Sequence, residues 1–310
     1  MNVLKAKAHP LVLAFLKFLL EVRRLEQQTC KCYLCDLNRF VQYIRRSCGP
    51  NVNAERLTSA ILGAESSVIK TFVNNHLNAH GLAPSSINRN LAALKSFYRF
   101  LFQTRQTSSD PAALVRKPFD VEVLKPLSFS LTEEKIQALI SSPNDQHPLG
   151  ARDGVMLRMY YFMGLSVEEV VSIHCADLDI LKGKLALRAR RDGTTVKVPD
   201  EVLAPLRHYL LLSNEHNGTV NDCGHEQSAR LLFPNKHGTR LSSRSARRRF
   251  DKYAKALGMK PVKPSHLRRK FIIKKLKSGA DTVDVQRLVG HRWPQTTAKY
   301  ERLVTEEATN

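Results

Sequence analysis

Apolar residues recur at spacings of three and four through the first hundred positions, which commits that stretch to packed amphipathic helices. Leu11, Phe15, Leu19 and Val22 mark a first helix, and Tyr33, Leu37, Phe40, Val41 and Ile44 a second. Two more are predicted over 66–81 and 83–102. The last opens on Pro84-Ser85-Ser86, a start signal, and carries Ile87, Leu91, Leu94, Phe97, Tyr98 and Leu101 along one side. Periodicity then lapses from Thr104 to Pro126, where Asp110-Pro111, Pro118 and Pro126 predict an extended linker. Helices resume behind Thr132 as an N-cap, with a buried helix over 151–163 and a sharp turn at Gly164-Leu165-Ser166. Leu185, Leu187, Val196 and Val198 alternate with polar residues around Asp192-Gly193, the pattern of a hairpin. From Arg244 the chain reads as helix again. At 310 residues and 43% hydrophobic content it has length for two ordinary domains with real cores, which excludes global disorder.

The formal net charge is +21, and most of it is concentrated. Between Arg240 and Lys277 stand fifteen Lys or Arg and one acid, Asp251, giving +14 in 38 residues. A solvated helix face normally mixes both signs, because one sign repels itself. A phosphate backbone supplies the missing counter-charge, so nucleic acid is the expected partner. Arg244, Arg247, Arg248, Arg269 and Lys270 are candidate DNA contacts in this run. Arg89 and Lys95 are candidates on the helix opening at Pro84. No run of 18 apolar residues exists, so no membrane span is expected. Cys30, Cys32 and Cys35 diverge around a helix and read as thiols in a reducing, cytoplasmic setting, with neither metal nor cofactor expected.

The stretch Ser265–Tyr300 carries the chemistry. It reads Leu267-Arg268, then Phe271, Gly279-Ala280-Asp281, Gly290-His291 and, nine residues on, Tyr300. Here the sequence closely resembles the C-terminal catalytic motif of the tyrosine recombinase (phage integrase, Xer-like) family. The resemblance extends over the chain, through Ser86-Ile87-Asn88, Ala151-Arg152-Asp153, Gly164-Leu165, Glu169 and Leu232-Phe233-Pro234. It implies a mainly α fold with a small antiparallel sheet, built as a two-domain DNA clamp. A helical core-binding domain (1–106) and a catalytic domain (128–310) would flank a linker (107–127). It also implies double-stranded DNA as the partner, bound by a homo-tetramer or paired dimers in the nucleoid. Tyr300 would be the nucleophile forming a 3′-phosphotyrosyl link, Arg268 would clamp the scissile phosphate, and His291 would hydrogen-bond it.

Those residue types suit that chemistry. A phenol becomes a competent nucleophile as its proton leaves, and guanidinium groups match the charge on a pentacoordinate phosphate. Three positions depart from the family pattern. Ser166 stands where the family places its first catalytic Arg, and Ser265 where it places its first His, with His266 one residue later. The family's hairpin Lys falls at Arg190 or Arg191, and Arg donates protons poorly. Two outcomes follow: a working site-specific recombinase, or a family member that holds DNA without cutting it.

Overall fold

The computed structural model describes residues 7–119, 131–188, 190, 193–217, 230–259, 262–291 and 293–309. The chain divides into two compact units, residues 1–123 and 124–310, each with its own core. Both are mainly helical, and the second adds one small sheet.

The first unit holds α1 (Pro10–Glu21), α2 (Gln27–Ser47), α3 (Ala54–Leu62), α4 (Ser66–Thr71), a π-helical turn (Phe72–His76), α5 (Leu77–Ala79) and α6 (Pro84–Gln103). The predicted apolar stripes of α1, α2 and α6 meet in its core, where Phe15 contacts Phe97 edge-on at 5.6 Å and Phe40 contacts Phe72 at 5.2 Å. Val22, expected in the first stripe, caps α1 and is exposed. The short helix α3 was not foreseen; Asn53 caps it by accepting the Arg56 N–H at 2.8 Å. Residues 107–119, within the stretch expected as an extended linker, pack on this bundle. Ala112 and Val115 are buried, the Ser66 hydroxyl donates to the Pro111 carbonyl (2.6 Å), and Asn88 donates to that of Phe119 (2.7 Å). Two small apolar residues among prolines carry no periodicity, so only the tertiary contact reveals their burial. Residues 120–127 of that stretch lie outside the described residues.

The second unit is built around α8 (Pro148–Phe162), in which Val155, Met159 and Tyr160 are almost wholly buried. Before it comes α7 (Glu133–Ser141), capped by Thr132 as predicted. After it, Gly164 turns the chain at φ 60°, where an added Cβ would lie 2.4 Å from the Phe271 ring. That turn leads into α9 (Val167–Val171) and three antiparallel strands, β1 (Leu178–Asp179), β2 (Lys184–Ala186) and β3 (Thr195–Lys197). Leu185 pairs with Leu178 on one side and Val196 on the other, setting the alternating apolar face onto the core. Helices α10 (Asp200–Asn217), α11 (Ser243–Ala256), α12 (Pro264–Lys277), α13 (Thr282–Val289) and α14 (Pro294–Thr309) complete the unit.

Part of the basic run is committed to this fold. Asp153 is buried, and its carboxylate accepts from Arg152 (2.8 Å), from the Tyr253 hydroxyl (2.8 Å) and from Arg249 (2.5 Å). A buried carboxylate requires such partners. Arg249 therefore neutralises a core acid, while its neighbours Arg244, Arg247 and Arg248 are exposed.

Candidate active site

Glu169 organises the site. Ser166 caps α9 by accepting the Glu169 N–H (3.2 Å), and the Glu169 carboxylate accepts the Ser166 N–H in return (2.7 Å). That capping box fixes a carboxylate that also takes Arg190 Nε at 2.7 Å and Arg268 Nη1 at 3.1 Å. Burial opposes ionising Glu169, but the Arg190 guanidinium above all, then the Ser166 N–H and Arg268, hold its carboxyl below its ordinary value. Arg268 also donates to the carbonyls of Gly164 (2.7 Å) and Val289 (2.6 Å). Burial and the nearby Arg190 lower its pKa while Glu169 opposes them, and an arginine so placed stays charged. Arg190 bridges from Glu169 to the Leu288 carbonyl (2.8 Å), tying the hairpin to the end of α13.

The Arg190 strut passes beneath Gly290, which ends α13 in the left-handed conformation at φ 68°. A Cβ there would lie 2.8 Å from Arg190 Nε, so the position needs glycine twice over. The turn delivers His291, whose Nδ1 meets the buried Thr297 hydroxyl at 2.9 Å. The His291 ring stacks on Tyr300 at 6.2 Å and 14°. Tyr300, from α14, packs against the small apolar cluster of Phe271, Ile272, Val285 and Val289. Burial first, then the charge of Arg268 and Arg190, push the His291 pKa down to about 4.

Its imidazole is therefore neutral at neutral pH, a hydrogen-bonding group rather than a cation. The same shift has a stability consequence. An unfolded His binds its proton near pH 6.5 and the folded one only near 4, so acid favours the unfolded chain across that interval. The melting temperature is expected to hold above pH 6.5 and to fall progressively toward pH 4. His291→Gln is expected to flatten that descent, measured by thermal unfolding at a series of pH values.

Arg268 and Arg190, both anticipated from sequence, thus meet on Glu169, and beside them stand His291 and Tyr300, likewise anticipated and stacked on one another. Arg191 lies outside the described residues. His266 does not join them: it sits in the first turn of α12 with Nδ1 facing the Lys263 N–H at 3.4 Å. Ser166 and Ser265 instead open with Arg268 onto a cleft of about 290 Å³. Arg269 lies over the Tyr300 ring at 5.9 Å, and Lys270 is half-buried, its charge felt by Glu133. The organising role of Glu169 escaped the sequence reading. The signal was the Ser166-to-Glu169 spacing, a capping-box pattern.

Arg89 and Lys95, expected on a DNA-facing edge, are engaged inside the first unit. Arg89 donates to both oxygens of buried Asp36 (2.7 and 2.9 Å), and Lys95 donates to the Ala113 carbonyl (3.1 Å). Arg89 keeps 43% of its side chain exposed all the same. A cleft of about 530 Å³ is lined by Asn38, Gln42 and Arg46 of α2, spaced four apart, and by His76 and His80. The π-helical turn sets the His76 ring 4.9 Å from Tyr43 and 4.2 Å from His80.

Fold and site together define a tyrosine recombinase type of protein: a helical unit followed by a second, mainly helical unit that brings Arg268, His291 and Tyr300 together. The chain belongs to the Phage integrase family, whose sequence profile matches residues 130–307, with the profile of the Phage integrase N-terminal SAM-like domain matching 12–105. It is 31% identical to Tyrosine recombinase XerC of Pelotomaculum thermopropionicum over 74% of each chain. To Tyrosine recombinase XerC of Myxococcus xanthus it is 29% identical, over 96% of this chain and 94% of that one. Its fold matches the Tn1549 transposon integrase, solved with circular intermediate DNA, at a TM-score of 0.68 and 14% identity, over 98% of this chain and all of the other. Among the described residues no helix is long and apolar enough to cross a membrane, and no three His, Cys, Asp or Glu gather as metal ligands.

Proposed function

We propose that this chain is a site-specific DNA recombinase that cleaves and rejoins strands through Tyr300. The observation that carries this reading is the gathering of Arg268, His291 and Tyr300: Arg268 is held on Glu169 within electrostatic reach of Tyr300, and His291 stacks on the Tyr300 ring. The Tyr300 phenol attacks the scissile phosphorus, its proton departs, and the bond to the 5′ oxygen breaks as that oxygen gains a proton. The product is a 3′-phosphotyrosyl ester, which keeps the energy needed to rejoin a second strand. Arg268 neutralises the charge growing on the phosphate oxygens. His291, neutral and fixed through Thr297, hydrogen-bonds one of them through its other ring nitrogen.

The exposed Arg244 and Arg248 of α11 hold the DNA backbone. Asn38, Gln42 and Arg46 of the first unit are of the types that read base edges in a major groove. On this reading residues 1–106 form the core-binding domain and 128–310 the catalytic domain. They assemble on DNA as a homo-tetramer or as paired dimers, in the cytoplasm on nucleoid DNA. The test is covalent trapping. The full chain is incubated with a nicked suicide duplex built on the site it selects from a randomised DNA pool. A covalent adduct mapped to Tyr300 by mass spectrometry is expected. Tight DNA binding with no adduct would instead make the chain a DNA-holding architectural protein, the reading that Ser166 and Ser265 favour.

A further inference from the structure

Ser166 and Ser265 leave the phosphate clamp a guanidinium short, and the cleft they share with Arg268 shows where another comes from. Ser166 cannot replace the lost charge, and its hydroxyl is occupied as the cap of α9. Arg190 cannot reach either. Its side chain is only 7% exposed, with Nε on Glu169 and Nη1 on the Leu288 carbonyl.

Arg247 of α11 lines the same cleft as Ser166, Ser265 and Arg268. Its side chain is 51% exposed, and its Nη2 pairs with Glu168 Oε1 at 2.5 Å, two residues beyond Ser166. An ion pair between two half-exposed side chains holds weakly, so a phosphate oxygen displaces Glu168 at little cost. Lys263 borders the cleft as well, but a lysine is a point charge and lacks the planar fork that grips two phosphate oxygens. We infer that Arg247 supplies the second guanidinium of the scissile-phosphate clamp, in place of the one lost at Ser166. This inference rests on the recombinase reading above.

The test measures single-turnover cleavage of the same nicked suicide duplex at saturating DNA, alongside the dissociation constant. Arg247→Ala is expected to slow cleavage about 10²-fold, the usual effect of removing one transition-state donor, with DNA affinity reduced severalfold at most. Lys252→Ala, an exposed base on the same helix that does not line the cleft, is expected to leave the saturated rate unchanged. Adding Ser166→Arg to Arg247→Ala is expected to recover at least tenfold, a rescue that a purely structural role would not produce. Retained DNA binding shows that each variant is folded. Parental cleavage by Arg247→Ala overturns this inference alone, as does failure of the Ser166→Arg rescue. Absence of any Tyr300 adduct with the parental chain overturns the recombinase reading and this inference with it.

Discussion

Tyr300→Phe is expected to abolish covalent capture of DNA while leaving DNA affinity within about twofold of the parental value. The separation follows from how Tyr300 is held. Its ring stacks on His291 and packs on the cluster of Phe271, Val285 and Val289, and Arg269 lies over it. A phenylalanine ring keeps all of these contacts. The substitution removes the nucleophilic oxygen and little else, so unfolding free energy should change by less than about 1 kcal/mol. The paired readouts are adduct formation on the suicide duplex and an equilibrium binding isotherm at fixed salt, since affinity for a polyanion is meaningless without it. An adduct that persists in this variant would assign the nucleophile elsewhere.

Glu169→Ala is expected to lose both stability and cleavage. The Glu169 carboxylate faces two guanidiniums whose side chains are 7% and 16% exposed. Removing one partner of a buried ion pair typically costs about 3–5 kcal/mol, because a buried charge is left uncompensated. Arg268 and Arg190 both keep backbone carbonyls as partners, which places the expected cost near the lower bound, about 3 kcal/mol. Urea unfolding monitored in the catalytic unit checks it. Glu169→Gln keeps the shape and one acceptor, and should lie between the two. A stability change below about 0.5 kcal/mol for Glu169→Ala would show that the carboxylate is not the organiser it is taken for.

The reach of the sequence can be judged from particular residues. Helices α1, α2 and α6 were legible because each carries an uninterrupted apolar stripe, and Leu185 and Val196 announced the hairpin by strict alternation. Arg268, His291 and Tyr300 were legible through a motif with fixed spacing. What escaped depends on partners far along the chain. Arg89 reads as an exposed base on a helix, and only the fold brings it to Asp36, 53 positions away. Arg249 stands in a run of arginines, and only the buried Asp153 distinguishes it. Glu169 is one carboxylate among several at a helix start. Its importance arises because Arg190 and Arg268 arrive from 21 and 99 positions later.

That last geometry bears on how the molecule is made. Glu169 is translated well before Arg268, and Arg268 before the Val289 carbonyl that steadies it. A nascent chain that has just released its hairpin holds half of a buried charge network and lacks both Arg268 and Tyr300. Closing contacts across such sequence separations is slow, so this cluster is expected to assemble late in folding of the catalytic unit. On the recombinase proposal, competence for strand exchange is thus the last property the growing polypeptide acquires. A prematurely terminated product lacking α13 and α14 carries the basic helix but neither His291 nor Tyr300.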